Sequence, residues 1–401
     1  MTATAPAAGG SRLPTLTGMR FVAALLVFLG HASAQHLFAD PGVDSKYARI
    51  VEGAGYVGVS FFFVLSGFVL TWSARPGDTV LKFWRRRAAK IYPSTVAAVL
   101  LAWLCLSITD QVVEADVLVP NLLLVHTWVP DIPTFLGVNA PTWSLGCEVF
   151  FYALFPLLLP LLRRIPARHL WTTAVIVVAA IAALPLVAQL LPGTPMFPPP
   201  VSESFPRFWF VYGFPPARTL EFVLGIVMAL IVHSGRWIRI GMGPAALLAL
   251  AAFVALKYTS ILYTIVAVSV APLALLVAAA AVADIEGRRS PFRGRAALWL
   301  GEASFAFYLI HQLVLTYGHR VLGLGRTWST PGAIGILVLL LAVSVAVAGV
   351  LYTVVERPSV RHLSRSRKDR ADRAGRLGPV AAAPVPVAPA PGEESEVRTP
   401  H

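Results

Sequence analysis

Long apolar runs alternate along the chain with short polar connectors. Ten runs read as membrane-crossing helices: 15–35, 56–74, 88–108, 143–162, 169–191, 217–234, 243–257, 260–283, 296–317 and 332–355. A helix crosses a bilayer with about 20 predominantly apolar residues. Most of the ten reach that length, while 243–257 is short. The stretch "VLVPNLLLVH" at 117–126 is shorter still and reads as a re-entrant or interfacial piece. No internal repeat emerges. The predicted fold class is therefore all-α: a polytopic membrane helical bundle of about ten transmembrane helices.

Composition agrees. Of 401 residues, 57% are apolar and only 13% charged, against about 25% charged in soluble chains. The net charge of +13 changes the picture only through its placement. Alternate connectors, beginning with 75–90, hold fifteen lysines and arginines, and the intervening ones six. The 109–142 connector has none, and carries Asp110, Glu114, Asp116 and Asp131. Cytoplasmic loops collect Lys and Arg, so the fifteen-cation side is cytoplasmic and both termini lie there. The excess charge is thus a topology signal with membrane lipids as partners, not a nucleic-acid surface. The cysteines, Cys105 and Cys147, both fall in apolar runs, so neither a disulfide framework nor a metal cluster is expected. No cleavable signal peptide follows the first run. Residues 1–12 and the tail 358–401, basic and then Pro/Ala-rich, lack the composition to bury a core and are expected to be disordered. The basic part either rests on anionic lipid or is simply solvated.

Ionisable groups inside an apolar run are functional candidates by default. In "GMRFVAALLVFLGHA" at 18–32, Arg20 and His31 stand eleven residues apart. Eleven steps make nearly three helical turns, so both lie on one face about 16 Å apart. Arg20 alone also fits a snorkelling anchor. Glu148 follows in "PTWSLGCEVFFYALFP", with Ser144 and Tyr152 four residues to either side on its face; pairing with an arginine is the plainer alternative. Ser304, Tyr308 and His311 share a third face in "EASFAFYLIHQ". Arg218 and Glu221 are three apart and favour a purely structural ion pair. The run "FWRRRAAKIYP" at 83–93 sets Arg85, Arg86, Arg87 and Lys90 at a span mouth, where guanidinium forks match phosphate; a topology anchor explains the same cations. The Pro- and aromatic-rich loop 192–216 suits either sugar stacking or an interfacial belt.

In this order, these pieces resemble the acyltransferase-3 superfamily of integral-membrane O-acyltransferases. The resemblance covers about residues 13–357. It rests on Arg20 with ten residues before His31, "FFFVLSGF" at 61–68, "RRRAAKIYP" at 85–93, "TWSLGCEVFFY" at 142–152, "RTLEFVLG" at 218–225, "SFAFYLIH" at 304–311 and "VERP" at 355–358. Two positions depart from the family pattern. Thr17 stands where an L-D-G-L-R motif carries Asp, and Lys90 ends the basic motif where Arg is usual. Some relatives append a soluble esterase-like domain, and the tail from 358 is too short for one.

The resemblance implies acyl transfer from cytoplasmic acyl-CoA, acetyl-CoA being expected, to a hydroxyl-bearing acceptor, with no metal. His31 is the expected general base, with Glu148 orienting or charge-balancing it. Arg20, Arg85, Arg86, Arg87 and Lys90 are expected on the donor. Trp143, Ser144, Tyr152, Ser304, Tyr308 and His311 are the candidates for substrate contacts. A covalent route through Ser144 ranks below direct transfer, since no base is spaced locally to activate it. The expected acceptor is a carbohydrate or glycan, with a macrolide-type natural product as the alternative, and the expected location is the bacterial plasma (inner) membrane. A transporter or flippase of a lipid-linked sugar would also carry intramembrane polar groups.

Overall fold

The computed structural model describes residues 12–75, 77–197 and 201–363, all within one unit that ends at Ser364. In chain order the α-helices are α1 Pro14–Ser33, α2 Pro41–Val51, α3 Ala54–Trp72, α4 Val80–Ile108, α5 Ala115–Leu122, α6 Ile132–Leu136, α7 Trp143–Arg163, α8 Leu170–Ala188, α9 Phe205–Tyr212, α10 Pro215–His233, α11 Met242–Ala255, α12 Ile261–Ile285, α13 Arg295–Gly323, α14 Thr330–Leu351 and α15 Arg357–Leu363. The protein is all-helical, and among the described residues nine helices are long and apolar enough to cross a membrane. Each of the ten predicted runs has its helix. The tenth, α11 with the 3₁₀ turn that carries it to Tyr258, is the short one, and its roughly 25 Å falls about 5 Å below the hydrocarbon thickness.

Connectors hold more helix than the apolar pattern predicts. Asp40 caps α2 by accepting from the N–H groups of Gly42 and Val43, and α9 forms inside the aromatic loop. The 117–126 piece is α5, eight residues long, leading into a 3₁₀ turn at His126–Trp128. Helix also persists beyond residue 357 as α15, past the boundary expected for the tail. The expected disordered segments at 1–11 and from 364 onward lie outside the described residues.

Helices α3 and α10 form the centre. Between them Gly67 and Gly225 face each other's partner helix: a Cβ on Gly67 would strike the carbonyl oxygen of Phe222, and one on Gly225 that of Val64. Two backbones this close require small residues at the crossing. Around this pair pack α1, α7, α8 and α12, and α13 closes against α1. Peripheral helices present leucines and valines outward, as at Leu157, Val175, Leu247 and Val338, which is what contact with lipid tails requires. The start of α1 is tied down from outside. The buried Asp284 of α12 accepts from Thr15 N (2.9 Å) and Thr15 Oγ1 (2.6 Å), and Arg293 donates to the same carboxylate through Nε (2.8 Å), its Nη2 ion-paired with it at 2.6 Å and donating to the Ala283 carbonyl (3.0 Å).

Candidate active site

One cavity of about 160 Å³ lies inside the bundle, on the order of ten times the space one water needs. Five helices build it. From α1 comes Arg20, from α3 an apolar wall with Ser66, from α4 Arg87 and Lys90, from α7 Ser144, Glu148 and Tyr152, and from α13 Ser304 and Tyr308. Eight of the thirteen residues singled out in the sequence thus meet around one space. Helical periodicity accounts for their convergence: Arg87 and Lys90 are three apart, and Ser144, Glu148 and Tyr152 step by four.

The same periodicity divides the arginine run. Consecutive helical residues point about 100° apart, so three neighbours cannot share one face. Arg87 faces the cavity. Its guanidinium lies 6.0 Å from the ring centroids of both Phe83 and Tyr152, and its buried Nε makes no hydrogen bond. Arg86 turns away and pairs through both terminal nitrogens with Asp78 in the preceding loop; that guanidinium holds the Asp78 carboxyl below the ordinary carboxylate range. Arg85 does not line the cavity either. Of the four cations expected on the donor from α4, the structure therefore brings only Arg87 and Lys90 to Arg20. Lys90 Nζ is 2.6 Å from Oε1 of the buried Glu356. Glu356 closes a π-helical turn, Tyr352–Glu356, after α14; such turns insert an extra residue per turn and re-aim side chains.

On the opposite wall the Tyr152 hydroxyl donates to Glu148 Oε2 at 3.2 Å. Ser144 Oγ donates to the Pro141 carbonyl (3.0 Å) and sits 2.8 Å from the Tyr308 hydroxyl, itself 3.2 Å from the same carbonyl. Ser304 bonds back to the Gly301 carbonyl of its own helix (2.8 Å).

Three expected site residues are placed differently from the arrangement the sequence suggests. Glu148 does not orient His31. The partner of His31 is His311, with Nδ1 of the former 2.8 Å from Nε2 of the latter, because α13 rather than α7 packs along that end of α1. His311 in turn is fully buried, with Nδ1 on the Tyr308 carbonyl (2.8 Å), and does not line the cavity. Trp143 is only 3% exposed and its indole is wedged against Tyr212, 4.1 Å between centroids, and edge-on to Phe63; it is packing, turned away from the cavity that its neighbour Ser144 lines. The aromatic loop is divided: Phe205 and Phe208 are buried among Phe135, Phe197 and Tyr212, while Trp209, Phe210 and Phe214 are half-buried.

His31 is half-buried and is not part of the cavity lining. Tyr308 joins the two features: it lines the cavity, and its ring lies 5.7 Å from that of His311. In the sequence Ser66, within "FFFVLSGF", reads as a packing residue, whereas it lines the cavity; the Asp78 partner of Arg86 and the Glu356 partner of Lys90 went unseen. Only the last had a signal, the acidic residue in "VERP". The expected ion pair of Arg218 and Glu221 is present and buried, at 2.9 Å, with the guanidinium 5.0 Å from the Phe63 ring centroid. Among the described residues no group of three or more His, Cys, Asp or Glu is placed to hold a metal.

Apolar helices of membrane-crossing length around a cavity of cations, a carboxylate and hydroxyls define an integral membrane protein with a polar site within its spans. The chain belongs to the acyltransferase-3 family, whose acyltransferase domain matches residues 13–353. It is 44% identical over 386 residues to the acyltransferase MdmB of Streptomyces mycarofaciens, covering 94% of this chain and 96% of that protein. It is 24% identical over 265 residues to an O-acetyl transferase of Shigella phage Sf6, covering 62% and 73%. To the O-acetyltransferase OatA of Staphylococcus aureus it is 26% identical over 198 residues, covering 45% of this chain and 30% of that one. No solved structure matches.

Proposed function

We propose that this protein is an acyl-CoA-dependent O-acyltransferase of the bacterial plasma membrane, carrying an acetyl group to a hydroxyl-bearing acceptor, a carbohydrate hydroxyl by the family resemblance. The observation that carries the reading is the convergence of Arg20, Arg87 and Lys90 on one cavity that Glu148 and several hydroxyls also line. Three cations suit the phosphates of a nucleotide-bearing donor. The unsatisfied buried Nε of Arg87 is a donor waiting for an acceptor, as a phosphate site requires. Glu148 faces these cations across the cavity and balances part of their charge.

In the proposed reaction the acceptor hydroxyl gives its proton to His31 as its oxygen attacks the thioester carbonyl. The tetrahedral intermediate then expels the coenzyme A thiolate, which takes that proton. To meet His31 the thioester end must pass the paired hydroxyls of Ser144 and Tyr308. Ser144 has only a hydroxyl and a carbonyl for partners; with no base on it, a serine acyl-enzyme finds no support and direct transfer is favoured. The purified protein in nanodiscs should bind acetyl-CoA, and cells carrying it should yield a glycan or metabolite with an added acetyl mass that a deletion strain lacks. His31→Ala should retain acetyl-CoA binding and lose the transfer. Unchanged transfer by a folded His31→Ala protein would remove the base.

A further inference from the structure

The two imidazoles stand edge to edge. Their ring centroids are 5.1 Å apart, their planes lie within 7°, and the 2.8 Å contact joins Nδ1 of His31 to Nε2 of His311. Parallel planes at this separation, with two nitrogens in hydrogen-bond contact, describe an in-plane hydrogen bond rather than stacked faces. A neutral imidazole has one N–H and one lone pair, and the bond made by one nitrogen decides the state of the other. The chain of bonds ends at the Tyr308 carbonyl, which can only accept. His311 Nδ1 is therefore the protonated nitrogen, and His311 Nε2 carries the lone pair. Facing that lone pair, His31 Nδ1 must be the donor. His31 Nε2 is then left unprotonated, its lone pair taking no part in the contact with His311.

We infer that His311 is a positioning residue that holds His31 in the Nδ1–H tautomer through an anchored His31–His311–carbonyl relay, so that His31 Nε2 is the nitrogen that accepts a proton. The inference rests on the acyltransferase reading for the origin of that proton, and on this geometry alone for the tautomer. In the reaction the acceptor O–H bond breaks and the new N–H bond forms at His31 Nε2. The resulting imidazolium keeps its Nδ1–H on the His311 lone pair, and no proton has to leave His311. The proton at Nε2 then goes to the departing thiolate, which restores the starting tautomer. Base, orienting partner and anchor repeat the division of labour of a nucleophile–histidine–carboxylate triad, with a neutral imidazole held by a carbonyl in place of the carboxylate. The anchor is itself gripped, since Asn139 Nδ2 donates to the Leu309 carbonyl at 2.9 Å and the Tyr308 hydroxyl reaches the Pro141 carbonyl.

The test reads the tautomer directly and needs no acceptor. In ¹⁵N-histidine-labelled protein in nanodiscs at neutral pH, two-bond ¹⁵N–¹H correlations should show His31 with a protonated Nδ1 and a bare Nε2, assigned by loss of the signals in His31→Ala. A His31 protonated at Nε2 in the wild-type protein would overturn the inference whatever the activity. In His311→Gln the side-chain carbonyl can still accept from His31 Nδ1, and the Nδ1–H tautomer should persist. In His311→Leu it should not. Acetyl-CoA affinity should stay within about two-fold in both variants, while acetyl transfer in cells falls by at least about ten-fold in His311→Leu and recovers in His311→Gln. Equal transfer by the Leu and Gln variants, both folded, would also overturn it. Absence of transfer by the wild type would instead count against the acyltransferase reading and leave the tautomer result standing.

Discussion

Arg86 and Arg87 are adjacent, identical and equally basic, yet the structure assigns them different work. Arg87 lines the cavity, held over two aromatic faces with its Nε unsatisfied, and Arg86 is engaged by Asp78. On the proposed reading, replacing Arg87 with Ala would remove charge-assisted bonds to a donor phosphate, each contributing about 1.5–3 kcal/mol. At 1.4 kcal/mol per factor of ten, the loss of one such bond weakens acetyl-CoA binding by about 10- to 150-fold. Arg86→Ala removes a part-exposed ion pair from the loop. Such pairs contribute roughly 0–1 kcal/mol, and the lost charge is screened over about 8 Å at physiological salt, so affinity should change by no more than about two-fold. Calorimetric titration of acetyl-CoA into nanodiscs carrying each variant separates the two. Equal losses for Arg86→Ala and Arg87→Ala would mean that bulk charge at the helix mouth, not the direction of one side chain, binds the donor. An unchanged affinity in Arg87→Ala would remove the cavity as the phosphate site altogether.

Other predictions concern the frame. Gly225→Ala should destabilise the protein by about 1–2 kcal/mol in a denaturant titration in detergent: helix propensity favours Ala by about 1 kcal/mol, but a methyl against the Val64 carbonyl has no rotamer by which to escape, and a net stabilisation would refute the close crossing. Asp284→Ala strips Thr15 and Arg293 of their shared acceptor and should cost about 2–4 kcal/mol, with Asp284→Asn intermediate; a change below about 0.5 kcal/mol would show that α1 is not fastened there. His126, outside the spans, is held neutral by burial, its pKa lowered to about 4 from 6.5. Because the unfolded chain takes up a proton first, its contribution is whole above pH 6.5 and is lost as pH falls from 6.5 towards 4, on the order of 3 kcal/mol in all. Thermal unfolding from pH 7 to 4.5 should show this slope, and His126→Gln should flatten it.

How much of this was legible beforehand depends on the range over which each feature is determined. The spans were legible because hydropathy is a local sum over some 20 residues. The single-face strips were legible because helical period is local too, and Ser144, Glu148 and Tyr152 do line one wall together. The same period, applied to Arg85, Arg86 and Arg87, already forbids three of them on one face. The short helices α2 and α9 were not legible, since each is set by a cap or by burial against neighbours rather than by an apolar run of its own. Partner choice was hidden for a different reason. Glu148 and His31 lie at similar predicted depths, and depth along the membrane normal says nothing about rotation around it. Only the packing of α13 against α1 decides that His31 meets His311.

That packing also divides the chemistry by position. The cavity cations sit in the first halves of α1 and α4, and the imidazole pair joins the far end of α1 to α13, with Tyr308 touching both regions. If the proposed roles hold, a donor gripped by its phosphates and a base fixed by its tautomer would each be set by separate helix contacts. The tyrosine between them is the residue through which a change at one would reach the other: its hydroxyl closes on Ser144, and its backbone carbonyl anchors His311. On the proposed reading, movement of the Ser144–Tyr308 pair to admit a thioester would pull on the same residue that anchors His311, and a donor entering the cavity would thereby be coupled to the His31–His311 pair it approaches.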